Sequence, residues 1–437
     1  MKKIYFKNLN EYINKEITVE GFVDNIRDLQ YVQFLIVRDS SGKLQVTIEK
    51  NEENKELNEI VSNLMVESTV KIKGTLLVNE KVKLNGKELI PTEIIVTSKC
   101  LDELPLNYKD SKSALLDTRL NYRFLDLRSE KNLLMFKVQT CLINAMREFV
   151  LNKNFVEIHT PKFISTPSES GSNVFEVKYF DRKAYLAQSP QFYKQMAMCS
   201  GFENVFEVAP AFRAENSNSY RHATEFNSFD IEMSYVENLE ELMDFEEDLL
   251  ISALTKVKEE YGSQIKELFN VDVVVPTKPF PRIKLEELYK ELEKNYNFKM
   301  NYEDVGDMNA ESEKLASEYI KEKYGHEFVF ITDFSAKKRA FYHKRNNGVP
   351  MGADLIWKGC ETTTLALREH RYEELYKQAN EKGLGADVKF YLEFFKYGCP
   401  PHGGFALGVE RVTMLLLETG SLKETMFLFR GPSRLEP

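Results

Sequence analysis

The sequence predicts an α+β fold, in which an N-terminal β-barrel precedes a larger region that mixes helices with strands. Residues 17–98 contain five strand-like runs and little helix. Residues 205–235 hold two apolar runs around a polar loop, which indicates a β-hairpin, and long helical segments lie before and after it. Together these patterns place an all-β unit before an α+β unit.

The composition is that of a globular protein. A chain of 437 residues suggests two or three domains, and no apolar stretch is long enough to span a membrane. The five cysteines are scattered, without a Cys-x-x-Cys pair. They favour a reducing cytoplasm and argue against a disulfide framework or structural zinc. The net charge of −9 is not the basic footprint of a nucleic-acid binder, although a local basic face would be compatible with it.

The first unit resembles an OB-fold barrel, because a helix within 51–65 falls between the third and fourth strands. Such barrels bind single-stranded nucleic acid by stacking bases on aromatic rings. Phe34 could offer such a ring, or it could belong to the barrel core. The predicted strands are Ile17–Val23, Val32–Arg38, Leu44–Glu49, Ser68–Leu77 and Glu88–Thr97.

The hairpin carries polar groups around its tip that suit a nucleotide. Arg213 lies inside an apolar strand, where an unpaired guanidinium is costly to bury, and its planar donors suit a phosphate. Glu215 could accept a hydrogen bond from an exocyclic amine, and Phe226 offers a ring for a base. The alternative is a surface loop with an internal Arg–Glu bridge.

Two further runs predict ligand-binding groups. A helix that begins near Pro190 would place Gln191 and Lys194 one turn apart, which suits a ligand carboxylate; the alternative is a solvated lysine. Asp354 and Glu361 are seven residues apart, and a turn or bulge at Gly359 could bring both to one side of a sheet. Two carboxylates beside a triphosphate suit Mg²⁺.

A long helix at 132–151, a strand at 155–158 and a glycine-rich strand that feeds a helix near Val409 complete the pattern. The amides at the start of that last helix favour phosphate. These motifs resemble the class II aminoacyl-tRNA synthetases, in the form of the aspartyl, asparaginyl and lysyl subclass. Residues 132–161 are similar to motif 1, residues 212–226 to motif 2 and residues 408–411 to motif 3, with archaeal-type aspartyl enzymes the most similar.

The resemblance implies an OB-fold anticodon-binding domain at 1–104, a hinge or linker at 105–130 and a catalytic domain at 131–437. The catalytic domain would be an antiparallel sheet flanked by helices. The amphipathic pattern of Asn238–Lys258, Leu285–Tyr296 and Glu311–Lys323 predicts a helical insertion at about 240–345, packed on that sheet. The implied activity is aspartate–tRNA ligation with ATP and Mg²⁺, on tRNA, in the cytoplasm, by a homodimer that forms through the motif 1 region.

The resemblance also assigns residues to roles. Three would be catalytic: Arg213, Arg411 and Glu361. The ATP-binding residues would be Arg213, Glu215, Arg221, His222, Phe226, Glu361, Gly408 and Arg411. The amino-acid-binding residues would be Glu169 in a mobile loop, Gln191, Lys194, Asp230 and Arg368. Asp354 and Glu361 would bind the metal, while Phe34 and Gln45 would bind the anticodon.

Several residues depart from the family pattern. Leu365 and Leu367 stand where the family has glycine and glutamine, beside the expected amino-acid pocket. The run 424–432 lacks the usual Phe-Pro-Arg-Asp, and Phe22 and Asp24 differ at positions that bear on the anticodon.

Two alternatives therefore stay open. The enzyme could charge tRNA(Asn) as well as tRNA(Asp). The chain could also be a synthetase paralogue with an altered pocket, or one that binds tRNA or forms adenylates without charging. Retention of the polar residues at every motif favours an enzyme.

Overall fold

The computed structural model describes residues 3–110, 113–165, 173–300 and 305–436. It forms two compact units, Met1–Asn107 and Tyr108–Pro437. In the described ranges, no helix has the length and apolar character needed to cross a membrane.

The first unit is a closed five-stranded barrel with the strand order β1-β2-β3-β5-β4. A 3₁₀ turn, Phe6–Tyr12, precedes it, and helix α1 lies between the third and fourth strands as the sequence predicts. Its elements are β1 Glu16–Asp28, β2 Val32–Asp39, β3 Gly42–Glu49, α1 Lys55–Ser62, β4 Thr69–Val78 and β5 Lys87–Ser98.

Strand β1 runs five residues beyond the predicted end at Val23 because it serves two neighbours. Its first half pairs with β4 as far as Phe22, and from Phe22 onward it pairs with β2, with a bulge between Val23 and Asn25. A bulge bends a strand and increases its twist, which lets one strand close a small barrel. Apolar side chains that alternate along the strands fill the interior, Leu35, Val37 and Val46 among them.

The second unit is built on an eight-stranded sheet with the order β12-β13-β16-β17-β18-β11-β10-β6. The six strands from β13 to β10 are antiparallel neighbours, and only the outermost pairs, β12–β13 and β10–β6, are parallel. The antiparallel sheet that the resemblance implied is therefore confirmed. The strands are β6 Val156–Glu157, β10 Asn204–Phe212, β11 Glu225–Ser234, β12 Arg282–Lys284, β13 Phe328–Thr332, β16 Gly352–Trp357, β17 Cys360–Arg368 and β18 His402–Gly408.

Two small sheets accompany the main one. The first has the order β7-β9-β8, and the second is the hairpin β14-β15. Their bounds are β7 Phe163–Ile164, β8 Glu176–Tyr179, β9 Arg182–Leu186, β14 Arg345–Asn346 and β15 Val349–Pro350.

Helices cover the sheet and its edges. They are α2 Leu116–Asn121, α3 Arg123–Asp126, α4 Glu130–Leu151, α5 Gln191–Cys199, α6 Leu239–Phe269, α7 Leu285–Tyr296, α8 Ala310–Tyr324, α9 Tyr372–Glu381, α10 Lys389–Phe394, α11 Val409–Leu417 and α12 Leu422–Thr425. A 3₁₀ turn, Phe395–Tyr397, follows α10.

The main core lies between the sheet and the helices α4 and α6. The side chain of Ser129 caps α4 by accepting a hydrogen bond from the amide of Asn132. Helix α6 continues past its predicted end at Lys258 to Phe269, because its apolar stripe reaches Ile265. The region expected as a helical insertion also supplies strands β12 and β13, so it extends the sheet as well as packing on it.

Candidate active site

A cavity of about 200 Å³ opens on the sheet face opposite α6. It is lined from strands β11, β17 and β18, from α5 and α11, and from the loop of the β10–β11 hairpin. Every residue that the sequence assigned to ATP or to the amino acid lines it, Glu169 excepted, which lies outside the described residues. They are Gln191, Lys194, Arg213, Glu215, Arg221, His222, Phe226, Asp230, Glu361, Arg368, Gly408 and Arg411.

The hairpin brings two cations and an aromatic ring to one side of the cavity. The guanidinium of Arg213 lies over the ring of Phe226, with its carbon 5.3 Å from the ring centroid. In the described part of the chain Arg213 makes no ion pair with Glu215, so the internal bridge considered as an alternative is not formed. Arg213 is therefore held in place by the ring and faces the cavity with its charge available to a ligand.

Helix α11 supplies the third cation. Arg411, in its first turn, donates to the backbone oxygen of Glu361 at 2.8 Å and to that of Arg221 at 3.4 Å. Burial and the charge of Arg411 lower the pKa of His222, which therefore stays neutral at pH 7. This half of the cavity is positively charged and faces a helix N-terminus, a combination that favours phosphate.

The other half of the cavity holds a buried cluster of four charges. The Nζ of Lys194 lies 3.1 Å from Asp230 and 3.3 Å from Glu232, and the Nε of Arg368 lies 2.9 Å from Glu232. Lys194 is only 2% exposed, so it is not the solvated lysine considered as an alternative. Two cations and two carboxylates balance one another in this cluster.

Glu232 holds both cations in place. Burial would raise the pKa of this carboxyl, but Arg368, Lys194 and His402 together lower it, so Glu232 stays ionised. Arg368 also donates through Nη2 to the backbone oxygen of Gly404 at 2.9 Å, which gives the guanidinium a second fixed contact. The guanidinium is thereby oriented before any ligand arrives.

Asp354 and Glu361 reach the same face of the sheet, as the sequence predicts. Lys358 and Gly359 turn the chain with φ of 47° and 77°, and a bulge follows in β17. Glu361 lines the cavity and accepts a hydrogen bond from Thr364 at 3.1 Å. Asp354 lies behind it, with both oxygens bonded to Arg339.

The donor set fits a Mg²⁺ ion that arrives with a nucleotide. Among the described residues, no cluster of three or more histidine, cysteine, aspartate or glutamate side chains could hold a metal alone. Mg²⁺ is usually bound through one or two carboxylates, with phosphate oxygens and water as its other ligands. Glu361 can serve directly, and Asp354 can serve once its pair with Arg339 opens.

Comparison with known proteins decides the family. The family described as "tRNA synthetases class II (D, K and N)" matches residues 116–430, and the "OB-fold nucleic acid binding domain" matches residues 17–97. The chain belongs to the class II tRNA synthetases. The prediction of that family from motifs 1 to 3 is therefore confirmed.

Similar synthetases include two archaeal ligases. The aspartate–tRNA(Asp) ligase of Pyrococcus furiosus is 38% identical over 99% of both chains. The aspartate–tRNA(Asp/Asn) ligase of Methanopyrus kandleri is 40% identical over 97% of this chain and 96% of its own.

Two solved synthetase structures share the fold. Asparaginyl-tRNA synthetase from Pyrococcus horikoshii, complexed with asparaginyl-adenylate, has a TM-score of 0.90 at 29% identity over the whole of both chains. Aspartyl-tRNA synthetase from Entamoeba histolytica has a TM-score of 0.87 at 31% identity, over 100% of this chain and 93% of its own.

The two leucines that depart from the synthetase pattern do not border the cavity. Leu365 and Leu367 are 0% and 1% exposed and belong to the main core. Leu367 lies on the α6 side of β17, where a side chain at Gly403 would touch both it and Leu242. The expectation that these residues lie beside the pocket is wrong, because the alternation of the strand turns them toward α6.

The altered C-terminal turn still closes on the synthetase hairpin. The backbone oxygen of Arg430 accepts a hydrogen bond from the amide of Thr224 at 3.0 Å, and Phe429 packs in the main core. Arg123 in turn donates to the backbone oxygens of Glu424 and Met426. Backbone contacts thus preserve the turn where the usual side chains are missing.

The predicted anticodon residues lie in the barrel unit. Phe34 is half-buried on the face opposite the barrel core, so the core alternative does not hold. Gln45 is on the adjacent strand, where it donates to Thr47, the residue opposite Phe34. Asp24, a departure from the family, is buried near Arg38 at 3.6 Å and Lys43 at 3.5 Å.

Sequence reasoning missed several residues of the site. Glu232 follows Asp230 by two positions on a strand, a spacing that places both on one face and could have indicated it. Arg339, Tyr342 and Glu313 come from the insertion, and no local pattern links them to the cavity. Tyr342 lies under the guanidinium of Arg368 at 5.5 Å from the ring centroid.

Proposed function

We propose that this synthetase is an aspartate–tRNA ligase. It would activate aspartate with ATP to aspartyl-adenylate and transfer the aspartyl group to the 3′ end of tRNA(Asp). The observation that carries the proposal is the pair of cations, Lys194 and Arg368, held on Glu232 beside Asp230. The archaeal relatives that match over nearly their whole length support it by their names.

Selection of aspartate would follow from an exchange of partners in the charged cluster. The α-ammonium group of the substrate would bind Asp230, which frees Lys194 from that carboxylate. Lys194 and Arg368 would then bind the side-chain carboxylate, with Gln191 beside them. Charge-assisted hydrogen bonds contribute about 1.5–3 kcal/mol each, so the two could favour aspartate over asparagine by at least ~100-fold.

Activation would need no side-chain nucleophile. An oxygen of the aspartate α-carboxylate attacks the α-phosphorus of ATP, the bond to the bridging oxygen breaks, and pyrophosphate leaves. Arg213 and Arg411 would neutralise the charge that develops on the phosphates, which is the main form of catalysis in phosphoryl and nucleotidyl transfer. A terminal ribose hydroxyl of tRNA then attacks the aspartyl carbonyl, and AMP leaves.

We assign the remaining nucleotide contacts to residues that line the same cavity. Phe226 would stack on the adenine ring, Glu215 would accept from its amine, and Arg221 and His222 would meet the phosphates. Glu361, with Asp354 behind it, would hold Mg²⁺, which when bound would neutralise phosphate charge. Gly408 would let the nucleotide approach the start of α11.

The barrel would bind the anticodon through Phe34 and Gln45. The family match of the barrel to a nucleic-acid-binding domain supports this assignment. Relatives that act on tRNA(Asp) alone and relatives that act on tRNA(Asp/Asn) both match this chain, so tRNA(Asn) is a second acceptor to be tested.

We further propose a homodimer that forms through α4 and β6, in the cytoplasm where tRNA and ATP are found. Strand β6 is an outer strand of the sheet, and Val156 in it is 44% exposed. Phe163, just beyond it, is 56% exposed. An edge strand with exposed apolar neighbours is a surface that a second copy can cover.

The alternative hypothesis of a non-charging paralogue has lost its main support. It rested on Leu365, Leu367 and the altered C-terminal turn. The two leucines lie in the core, and the turn keeps its backbone contact with the hairpin.

The decisive experiment is amino-acid-dependent exchange of pyrophosphate into ATP, measured with all twenty amino acids and Mg²⁺. We expect exchange with aspartate alone. Exchange with a different amino acid would reject the pocket assignment, and exchange with none would restore the paralogue. Aspartylation of purified tRNA(Asp) and tRNA(Asn) then shows whether one or both are substrates.

A further inference from the structure

Helix α8, in the insertion, contacts the β16–β17 turn, which leads into Glu361, the carboxylate assigned to the metal. Its Glu313 and Ser317 are four residues apart and therefore share one face of the helix. Glu313 accepts a hydrogen bond from the amide of Glu361 at 2.7 Å, and Ser317 accepts one from the amide of Gly359 at 2.7 Å. The helix thus fixes the backbone of the β16–β17 turn at two points.

The carboxylate of Glu313 also holds Arg221, an arginine assigned to the nucleotide. Arg221, in the loop of the β10–β11 hairpin, donates through Nη1 to Oε2 of Glu313. That oxygen is also the acceptor for the amide of Glu361. A shift of this one atom would therefore move groups from two segments that are far apart in the sequence.

The site is built to keep Glu313 in place. The residue is 3% exposed, and α8 begins at a capping box in which Asn309 and Ser312 bond each other's backbone amides. Burial raises the pKa of Glu313, while its bonds to Arg221 and to the amide of Glu361 act in the opposite direction. A buried carboxylate that accepts two such bonds is costly to lose, which fits a positioning role as well as a purely structural one.

We propose that Glu313 is a positioning residue for the nucleotide. Through one carboxylate oxygen it sets the position of Arg221 and of the segment that carries Glu361, and so fixes the place where the triphosphate binds. The inference rests on the proposed function only in taking ATP as the nucleotide. It gives the insertion a direct part in substrate binding.

The test compares variants of the full-length protein by steady-state pyrophosphate exchange and by direct binding of ATP without amino acid. In Glu313→Ala we expect the KM and Kd for ATP to rise about 10-fold, because a charge-assisted hydrogen bond to Arg221 is lost. The KM for aspartate should stay as in the parent. Glu313→Gln keeps a neutral acceptor of the same shape and should give a smaller rise.

The matched control is Glu311→Ala. Glu311 is exposed in the same first turn of α8, so its removal takes the same charge from the helix terminus without touching Arg221. We expect ATP binding in this variant to equal that of the parent.

A double-mutant cycle with Arg221→Ala separates an effect that Glu313 exerts through Arg221 from a general loss of order in the site. If Glu313 acts through Arg221, Glu313→Ala raises the Kd for ATP less in the Arg221→Ala background than in the parent. An equal rise in both backgrounds, an equal rise in the KM for aspartate, or an unchanged ATP Kd in Glu313→Gln and Glu313→Ala would overturn the inference. If the parent binds ATP but shows no exchange with aspartate, the aspartate assignment fails while the ATP-binding comparison still tests Glu313.

Discussion

Single residues on β17 reach opposite sides of the sheet by simple alternation. Thr364 and Arg368 face the cavity, whereas Leu365 and Leu367 pack in the core against α6. A motif written as a string of letters places all of these residues beside the pocket. Only the strand phase shows that the two leucines contribute to packing and not to amino-acid selection.

We therefore expect Leu367→Gln, which restores the family residue, to destabilise the protein without changing which amino acid it activates. An amide buried in the apolar core without a partner costs about 1–3 kcal/mol. Urea unfolding should show the loss, while the ratio of exchange rates with aspartate and asparagine stays unchanged. A change in that ratio would mean that position 367 acts on the pocket.

Glu246 is a buried acid of helix α6 that contacts the core side of β17. One of its oxygens accepts a hydrogen bond from Thr363, and the other, Oε2, has no partner within the described part of the chain. Burial raises the pKa of this carboxyl to about 8. Glu246 is therefore protonated in the folded protein at neutral pH, whereas it is ionised in the unfolded chain.

This difference predicts a loss of stability as the pH rises. Between the unfolded pKa of 4.5 and the folded pKa of about 8, only the folded state keeps the proton. The free energy of unfolding should then fall by about 1.4 kcal/mol per pH unit in that window, and the full cost should be present above pH 8.

The measurement is urea unfolding from pH 6 to pH 8 in the parent and in Glu246→Gln, which stays neutral throughout. We expect the parent to lose about 2 kcal/mol relative to the variant over this range. Parallel curves for the two proteins would show that Glu246 is not protonated in the folded state.

Among the elements, the β16–β17 hairpin has a turn that fits its contact with α8. Lys358 and Gly359 both have positive φ, the geometry of a two-residue type I′ turn that matches the twist of the strands. A Cβ at Gly359 would lie 3.3 Å from the Cα of Lys314. The glycine thus serves both the turn conformation and the close approach of the helix.

Gly359→Ala should cost more than the same change in an unobstructed turn. Gly348, in the β14–β15 hairpin, has a similar φ of 82° but nothing within 4 Å of the added Cβ. A positive φ alone costs alanine about 1–2 kcal/mol, and crowding against α8 adds to that cost. Comparison of the urea midpoints of both variants isolates the helix contact, and equal midpoints would argue against it.

Much of this element structure was predictable from the sequence, because turns, caps and apolar periodicity are local signals. The hairpin, helices α4 to α8 and the barrel strands all follow from such patterns. The contacts of Glu313 with Arg221 and of Arg339 with Asp354 do not, since they join segments that no local pattern relates. The site was therefore predicted where residues belong to a motif and missed where the insertion completes it.

For the whole molecule, each unit has its own hydrophobic core. Among the described residues, the buried members of the barrel core all precede position 97, and those of the main catalytic core all follow position 119. Each core can form without the other, since a domain with its own core can in principle fold alone. Amino-acid activation and tRNA recognition should accordingly be separable.

Phe34→Ala tests that separation in the intact chain. Phe34 is half-buried on the outer barrel face, so its loss leaves the core unchanged, whereas a stacked base contributes about 1–3 kcal/mol to nucleic-acid binding. We expect kcat/KM for tRNA to fall roughly 10- to 100-fold in aspartylation, with pyrophosphate exchange equal to that of the parent. A fragment that spans residues 108–437 should likewise keep exchange and lose most charging. Loss of exchange in a folded fragment would show that activation depends on the barrel, and full charging by Phe34→Ala would remove Phe34 from the tRNA-binding surface.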